Sequence, residues 1–251
     1  MNVMRCLVFT LYGSVGSFGS PSRSASNESR RPTEFVPTKS ALVALLGACA
    51  GVPRDKLHYI DQGFQVAVVE RIRPAPMSSK PDYHTVRRGK KPHKDRKIWT
   101  RFEELRASTE RGSILSWREY WSHGLWTARV VPTNPDTDLA PWCQSLACPR
   151  YEPYVGRRSC HLALPLAPQV VECDSVQEAL GQYQPHGLTV EPFRSLLTTP
   201  GKTLYFDDGF PGAPVPQRTV ERYDRIVDAA GPLRRFSSRM EHQAIFSGAN
   251  P

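Results

Sequence analysis

From Arg71 to Ser113 the chain nearly stops being hydrophobic, and at the centre of that gap stands RRGKKPHKDRK, Arg87 to Lys97. So many like charges cannot enter a core, because each would lose its water without gaining an anion. Whatever the flanking segments build must let these residues project, as a protruding hairpin or a disordered arm. The apolar pattern before the gap is regular. Arg5 to Tyr12 reads as a first strand, and Gly13 to Arg31 as a loop rich in Gly, Ser and Arg. Thr38 to Ala50 predicts a helix, with Pro37 before it, Thr38 or Ser40 as cap and Gly51 as stop. Its Ala41, Ala44, Gly47, Ala48 and Ala50 would let it lie close against a sheet. Phe64 to Ile72 alternates as a half-buried strand does.

After the gap, Leu115 to Val131 recovers order, with Trp117, Tyr120, Trp121 and Trp126 as large core or interface residues and Leu125 to Val131 as a strand. Pro132 to Pro149 reads as a proline-rich connector. Ser175 to Tyr183 predicts a short amphipathic helix, and Thr203 to Phe206 and Arg222 to Val227 predict short strands. Beyond Ala229 the chain turns polar and basic and reads as a tail that frays. The order strand, helix, strand, excursion, strand, helix predicts an α+β sheet of the RRM or ferredoxin-like type. That fold commonly presents a sheet face or a loop to RNA.

Charge narrows the partner. Thirty-three Lys and Arg face 24 Asp and Glu over 251 residues, a formal net charge of +9. That balance favours a polyanion, although an acidic protein or an anionic surface fits the charge alone. No stretch approaches the length of a membrane span, so no membrane partner is expected. The early apolar run CLVFTLYG is broken by Gly13, Ser14, Gly16 and Ser17 and has the length of a buried strand rather than of a secretory signal. The six cysteines form no C-x-x-C pair, and no histidine follows Cys143 and Cys148 at zinc-finger spacing. Reduced thiols in a cytoplasmic chain, with no metal and no cofactor, are the expectation.

Three segments carry candidate chemistry. In PRYEPYVGRRSCHLALPL, Pro149 to Leu166, two tyrosines, a glycine, twin arginines and a serine stand in one run. Gly156 can adopt backbone angles closed to other residues and admit a ligand's backbone. Arg157 and Arg158 carry planar forks suited to phosphate, and Tyr151 and Tyr154 offer faces for an unpaired base. Aromatics, glycine and arginine on one loop suggest a grip on single-stranded nucleic acid; an arginine turn held by surface carboxylates is the alternative. Thr38-Lys39-Ser40 opens a helix but lacks the glycine of a P-loop, which excludes nucleotide hydrolysis. Lys39 and Ser40 could still hold a backbone phosphate at the helix N-terminus, or simply begin a capped core helix. In DYHTV, Asp82 to Val86, a tyrosine beside a histidine could stack on a base or move a proton, or form a plain hairpin stem. The carboxylates are scattered, and no two-metal nuclease signature is present.

Taken in order, the glycine loop ending in Phe18-Gly19, RPTEFVPTKSALVALLGACAG, DYHTV, SWREYW, PRYEPYVGRRSCHLALPL and PLRRFSSR resemble the Cas-five family of RAMP proteins, in the form found in type I-E CRISPR Cascade complexes. The resemblance covers nearly the whole chain. It implies a non-catalytic subunit that caps the 5' handle of the CRISPR RNA (crRNA) and helps position the guide for recognition of target DNA in antiviral defence. It also implies contacts with the backbone, large and small subunits, and with target DNA through the complex. The fold it implies is an RRM-like RAMP domain over residues 1–172 with an extended β-hairpin thumb at about 73–113, then a small C-terminal β-rich region and tail at 173–251. Carried onto this sequence, the RNA-binding residues would be Phe18, Arg31, Thr38, Lys39, Ser40, Tyr83, His84, Arg87, Arg88, Tyr154, Gly156, Arg157, Arg158 and Ser159, with no catalytic residue. Two features depart from the family pattern. Phe18 stands where a tryptophan is usual, and the thumb is more basic, which implies tighter RNA contact or a second role on target DNA. A related subtype uses its Cas-five protein as the precursor ribonuclease, so a metal-independent endoribonuclease acting on CRISPR repeat RNA is the alternative.

Overall fold

The strands are β1 (Met4–Gly16), β2 (Phe18–Gly19), β3 (Arg30–Arg31), β4 (Thr33–Glu34), β5 (Phe64–Ile72), β6 (Ala75–Pro76), β7 (Asp82–Gly89), β8 (Arg111–Arg118), β9 (Trp121–Pro132), β10 (Gln169–Cys173), β11 (Thr203–Asp207), β12 (Arg218–Val227) and β13 (Arg235–Ile245). The helices are α1 (Lys39–Ala50), α2 (Leu57–Gly63), α3 (Arg101–Ala107), α4 (Ala140–Ala147) and α5 (Val176–Gln182). The computed structural model describes residues 4–19, 30–78, 81–89, 100–108, 110–185, 195, 201–227 and 235–246.

One antiparallel sheet organises the molecule, in the order β10-β1-β9-β5-β11-β13-β12, with β6 against one end of β9. Side chains alternate along β1. Leu7, Phe9 and Leu11 meet Leu42, Leu46, Ile60 and Leu146 of the three helices α1, α2 and α4. Cys6 and Val8 point the other way, toward Val176 and Ala179 of α5 and toward Phe206 and Phe210. Both faces are therefore covered. This corrects the expectation for Phe64 to Ile72: β5 places Val66 and Val68 in one core and Ala67 and Val69 in the other, as a strand buried on both faces must.

α1 begins and ends where its residues dictate. The Thr38 hydroxyl accepts from the Ala41 amide, and Gly51 takes the left-handed conformation, φ 71°, that closes the helix. β1 runs four residues past its predicted end because its glycines admit a ring: a Cβ on Gly16 would lie 2.0 Å from the Trp121 side chain. The connector after Pro132 contains α4, whose proline sits in the first turn, where no amide bond is lost. The polar tail also contains a strand, β13. Its Arg239 and Glu241 are tolerated because they pair with each other and with neighbours on other strands. β11 pairs with β5, so the strands after residue 201 continue the main sheet, and the boundary read at 172 falls inside β10.

The charged gap builds a separate sheet. β7 and β8 pair from Asp82 opposite Arg118 to Gly89 opposite Arg111, and β3 runs parallel to the end of β8. α3 lies between them in sequence, opened by a capping box of Thr100 and Glu103. Of the basic run, Arg87, Arg88 and Gly89 are described; residues 90–97 lie outside the described residues.

Candidate nucleic-acid interface

The two-residue period of the β7–β8 hairpin sorts its side chains. Tyr83 faces Trp117, Thr85 faces Leu115, Arg87 faces Ser113, and Gly89 faces Arg111. Directly opposed residues share a face, so this side carries an aromatic pair at one end and guanidinium groups toward the other. Tyr83 is 54% exposed and Trp117 40%, with ring centroids 5.6 Å apart. Arg87 follows Tyr83 by four positions along the strand, about 13 Å at ~3.3 Å per residue. Rings with open faces beside cations suit unpaired bases and their phosphates. The other side carries His84, whose Nε2 lies 2.7 Å from the Asp82 carboxylate, and the exposed Arg88. A cavity of about 590 Å³ opens at the foot of the hairpin, lined by Arg30, Phe35, Met77, Tyr83 and Arg118 among others.

The twin-arginine loop is tied to the core at its base. The Val155 amide donates to the Cys160 carbonyl at 2.7 Å, and Tyr154 bridges His161. Gly156 sits at φ 80°, and a Cβ there would lie 2.0 Å from the Ser17 carbonyl oxygen. The glycine is thus required by packing against the link after β1, and its exposed backbone lines the groove beside the loop. The arginines part company. The Arg157 guanidinium lies 4.7 Å over the Tyr120 ring and donates to the Arg31 carbonyl at 3.4 Å, whereas Arg158 and Ser159 are exposed. Arg31 itself is exposed on β3, opposite Arg118.

Beside this loop runs a groove of about 310 Å³. Its floor is Ala41, Ala44 and Ala48 of α1, and its rim holds Tyr154, Tyr223 and Phe236, all partly exposed. Sequence reasoning missed Tyr223 and Phe236, as it missed Leu115 and Arg111. The available signal was arginine and aromatic residues side by side in ERYDRIV and LRRFSSR, which becomes informative only once β12 and β13 are known to pair.

Two expected contacts are withdrawn. Phe18 is 2% exposed and packs at 5.3 Å and 5.5 Å from the rings of Trp121 and Trp126, so it has no open face for a base. Lys39 is buried; its Nζ donates to Asp207 at 2.9 Å and lies 4.0 Å from Asp61. Its backbone amide donates to the Asp224 carboxylate at 2.7 Å. A protein carboxylate thus fills the place a phosphate would take, and Thr38 is buried with its hydroxyl engaged in the cap. Ser40 remains half-buried at the groove edge, 3.2 Å from the Thr38 hydroxyl. Among the described residues no three His, Cys, Asp or Glu side chains gather as a metal site, and no helix is long and apolar enough to cross a membrane.

Residues 6–247 match the sequence model described as CRISPR-associated protein (Cas5). The chain is 32% identical over 190 residues to the CRISPR system Cascade subunit CasD of Escherichia coli, covering 72% of this chain and 78% of that protein. In fold it is similar to a chain of a CRISPR RNA-guided surveillance complex, with a TM-score of 0.61 and 21% identity over 96% of this chain and 90% of the other. It is also similar to a crystal structure of a Cas protein, with a TM-score of 0.55 and 19% identity over 97% and 95%.

Proposed function

The chain belongs to the CRISPR-associated Cas5 family, and from that premise we propose that it is the non-catalytic subunit of a type I-E Cascade complex that binds the 5' handle of the crRNA. The observation that carries this reading is the exposed row of Tyr83, Trp117, Leu115, Arg87 and Arg111 on a hairpin outside the main sheet, in a relative of a Cascade subunit. In this reading the hairpin is the family's thumb and lies beside the first guide nucleotides. Strands β1, β5, β9 and β10 of the main sheet are the RRM-like RAMP body, and β11, β13 and β12, which continue the same sheet, are its small C-terminal β-rich extension. Arg158, Ser159 and the Tyr154–Tyr223–Phe236 groove take the handle. The other Cascade subunits complete the assembly in the cytoplasm, and target DNA is reached through them.

The test is copurification of tagged protein with its complex, followed by sequencing of the bound RNA. Short RNAs sharing one 5' repeat fragment are expected. A mixed RNA population would reduce the chain to a general RNA-binding module.

One observation favours a second reading. His84 is hydrogen-bonded to Asp82 beside an exposed tyrosine. A carboxylate-oriented imidazole is able to move a proton, and RNA carries its own nucleophile in the 2'-hydroxyl. Incubating purified protein with unprocessed repeat RNA, with and without magnesium, separates the two. No cleavage is expected; cleavage at the handle boundary that His84→Ala abolishes would make the chain a repeat endoribonuclease.

A further inference from the structure

On the face of the sheet remote from α1, Cys6 of β1 and Cys173 of β10 bring their sulfurs to 3.5 Å. Both are buried. Cys6 stands opposite Val171 and Cys173 opposite Met4, so the two lie diagonally on one face of neighbouring antiparallel strands. The strand on the other side of β1 supplies Arg129, opposite Val8. Its guanidinium is 1% exposed, lies 5.2 Å over the Phe210 ring and donates through one nitrogen to the Pro211 carbonyl at 3.3 Å. Its Nε and other Nη have no hydrogen-bond partner among the described residues, and no carboxylate lies within ion-pair distance among them.

A buried guanidinium without an anion is strongly unfavourable. Cys6 and Cys173 stand beside it and are able to become anionic. The hydrogen bond from Cys173 and the charge of Arg129 outweigh burial and draw the Cys6 thiol down to about 7, while Cys173, as the donor of that bond and under its own burial, is pushed up. The remaining buried thiols differ. Cys49 meets no cation and is pushed up to about 12 by burial, and Cys160 is raised by the same cause.

We propose that Cys6 and Cys173 form an oxidation site, in which a Cys6 thiolate held beside Arg129 reacts with a peroxide and Cys173 resolves the product into a disulfide joining β1 to the edge strand β10. The Cys6 sulfur bonds to one oxygen of hydrogen peroxide, the O–O bond breaks, and the other oxygen leaves as hydroxide. The Cys173 sulfur then displaces the hydroxyl group of the resulting sulfenic acid, and its thiol proton departs with that group as water. The two sulfurs lose two electrons, which the peroxide gains. Closure asks the sulfurs to approach from 3.5 Å to about 2.05 Å, and it staples the strand that leads into α5.

The folded protein is treated with hydrogen peroxide, its remaining thiols are alkylated under denaturing conditions, and peptides are read by mass spectrometry. The expected product is a peptide pair linked through Cys6 and Cys173, two hydrogens lighter than the reduced pair, with Cys49 alkylated. The Cys173→Ser variant should stop with one oxygen added to the Cys6 peptide, whereas Cys6→Ser should leave Cys173 unoxidised. Recovery of alkylated Cys6 and Cys173 from a sample in which the exposed Cys148 has been oxidised would overturn the proposal. So would oxygen added to Cys173 in Cys6→Ser with none on Cys6 in the reciprocal variant.

Discussion

Two groups of positive charge in this chain have opposite fates. Around the start of α1, Lys39, Arg222 and Arg239 face inward among carboxylates. Arg239 grips Asp224 through two nitrogens at 2.7 Å and 3.0 Å and reaches Asp207 at 3.0 Å and Glu241 at 3.1 Å. Lys39 takes the second Asp207 oxygen, and Arg222 joins Glu241 to Glu34. On the β7–β8 hairpin, Arg87, Arg88 and Arg111 are exposed, and no carboxylate lies within ion-pair distance of them among the described residues. The same residue types thus serve a fold in one place and remain available to a polyanion in the other. Net charge alone cannot distinguish the two uses. What distinguishes them is whether strands remote in sequence deliver carboxylates to the same spot.

Arg239 separates the two groups of charge most strongly. Arg239→Ala would leave Asp207, Asp224 and Glu241 short of a counter-charge in a nearly buried place. Unfolding in denaturant should lose about 3–5 kcal/mol, the range for breaking a buried pair from one side. The double substitution Arg87→Ala with Arg111→Ala should change stability by less than about 0.5 kcal/mol, as exposed positions do. Equal losses in the two variants would mean that the hairpin arginines are also framework.

On the hairpin, the aromatic pair stands exposed beside the arginines. Trp117→Ala removes a half-exposed ring, so it should weaken binding of a handle-bearing RNA by about 1–3 kcal/mol per stacked base while leaving the melting transition nearly in place. Fluorescence anisotropy beside a thermal melt measures both. Unchanged affinity would move the RNA off this face.

Within the twin-arginine loop the contrast is repeated on a smaller scale. Arg158→Ala should flatten the slope of log K against log salt by about 0.7, the share of one phosphate on a single strand. Arg157→Ala should leave the slope alone and cost about 0.5–1 kcal/mol of stability, because its guanidinium lies over Tyr120. An exchange of the two phenotypes would mean that the loop turns over when RNA binds.

How legible these fates were depends on where the partner residue lies in sequence. α1 and β5 were readable because their caps and periodicities are local, and Tyr83, Arg87 and Arg88 were readable because no core could take their neighbours. Lys39 was not. Pro-Thr-Lys-Ser looks like a helix start with a cation to offer, and the carboxylates that hydrogen-bond Lys39 arrive from β11 and β12, more than 160 residues away. β13 was missed for the same reason: Arg239 and Glu241 look like tail until Asp207 and Asp224 are placed beside them. Phe18 failed in the other direction. Gly13 and Gly16 read as loop, yet they are the positions over which Trp121 lies, and the ring beside them is buried with it.

The smallest effect tests whether the inward cluster is fully compensated. The Asp61 side chain is buried; one oxygen accepts from the Ile226 amide at 3.1 Å, and the other has no hydrogen-bond partner among the described residues. Lys39 at 4.0 Å and Arg225 at 3.9 Å are its nearest cations. Burial raises its carboxyl above the ordinary 3.8, outweighing the charge of Lys39 and the amide bond. A carboxyl raised in the folded state holds its proton longer there than in the unfolded chain, so its contribution is most favourable below 3.8 and is lost as pH rises through the folded value. Asp61→Asn keeps an oxygen to accept from Ile226 but cannot ionise. Measured by urea unfolding from about pH 4 to about pH 8, across which a raised carboxyl titrates, the variant should gain stability relative to the parent as pH rises. Glu70, raised by burial in the same way, is common to both chains and cancels in that difference. A gap between variant and parent that stays constant with pH would mean that Lys39 and Arg225 compensate Asp61 fully, leaving the inward cluster with no unbalanced charge.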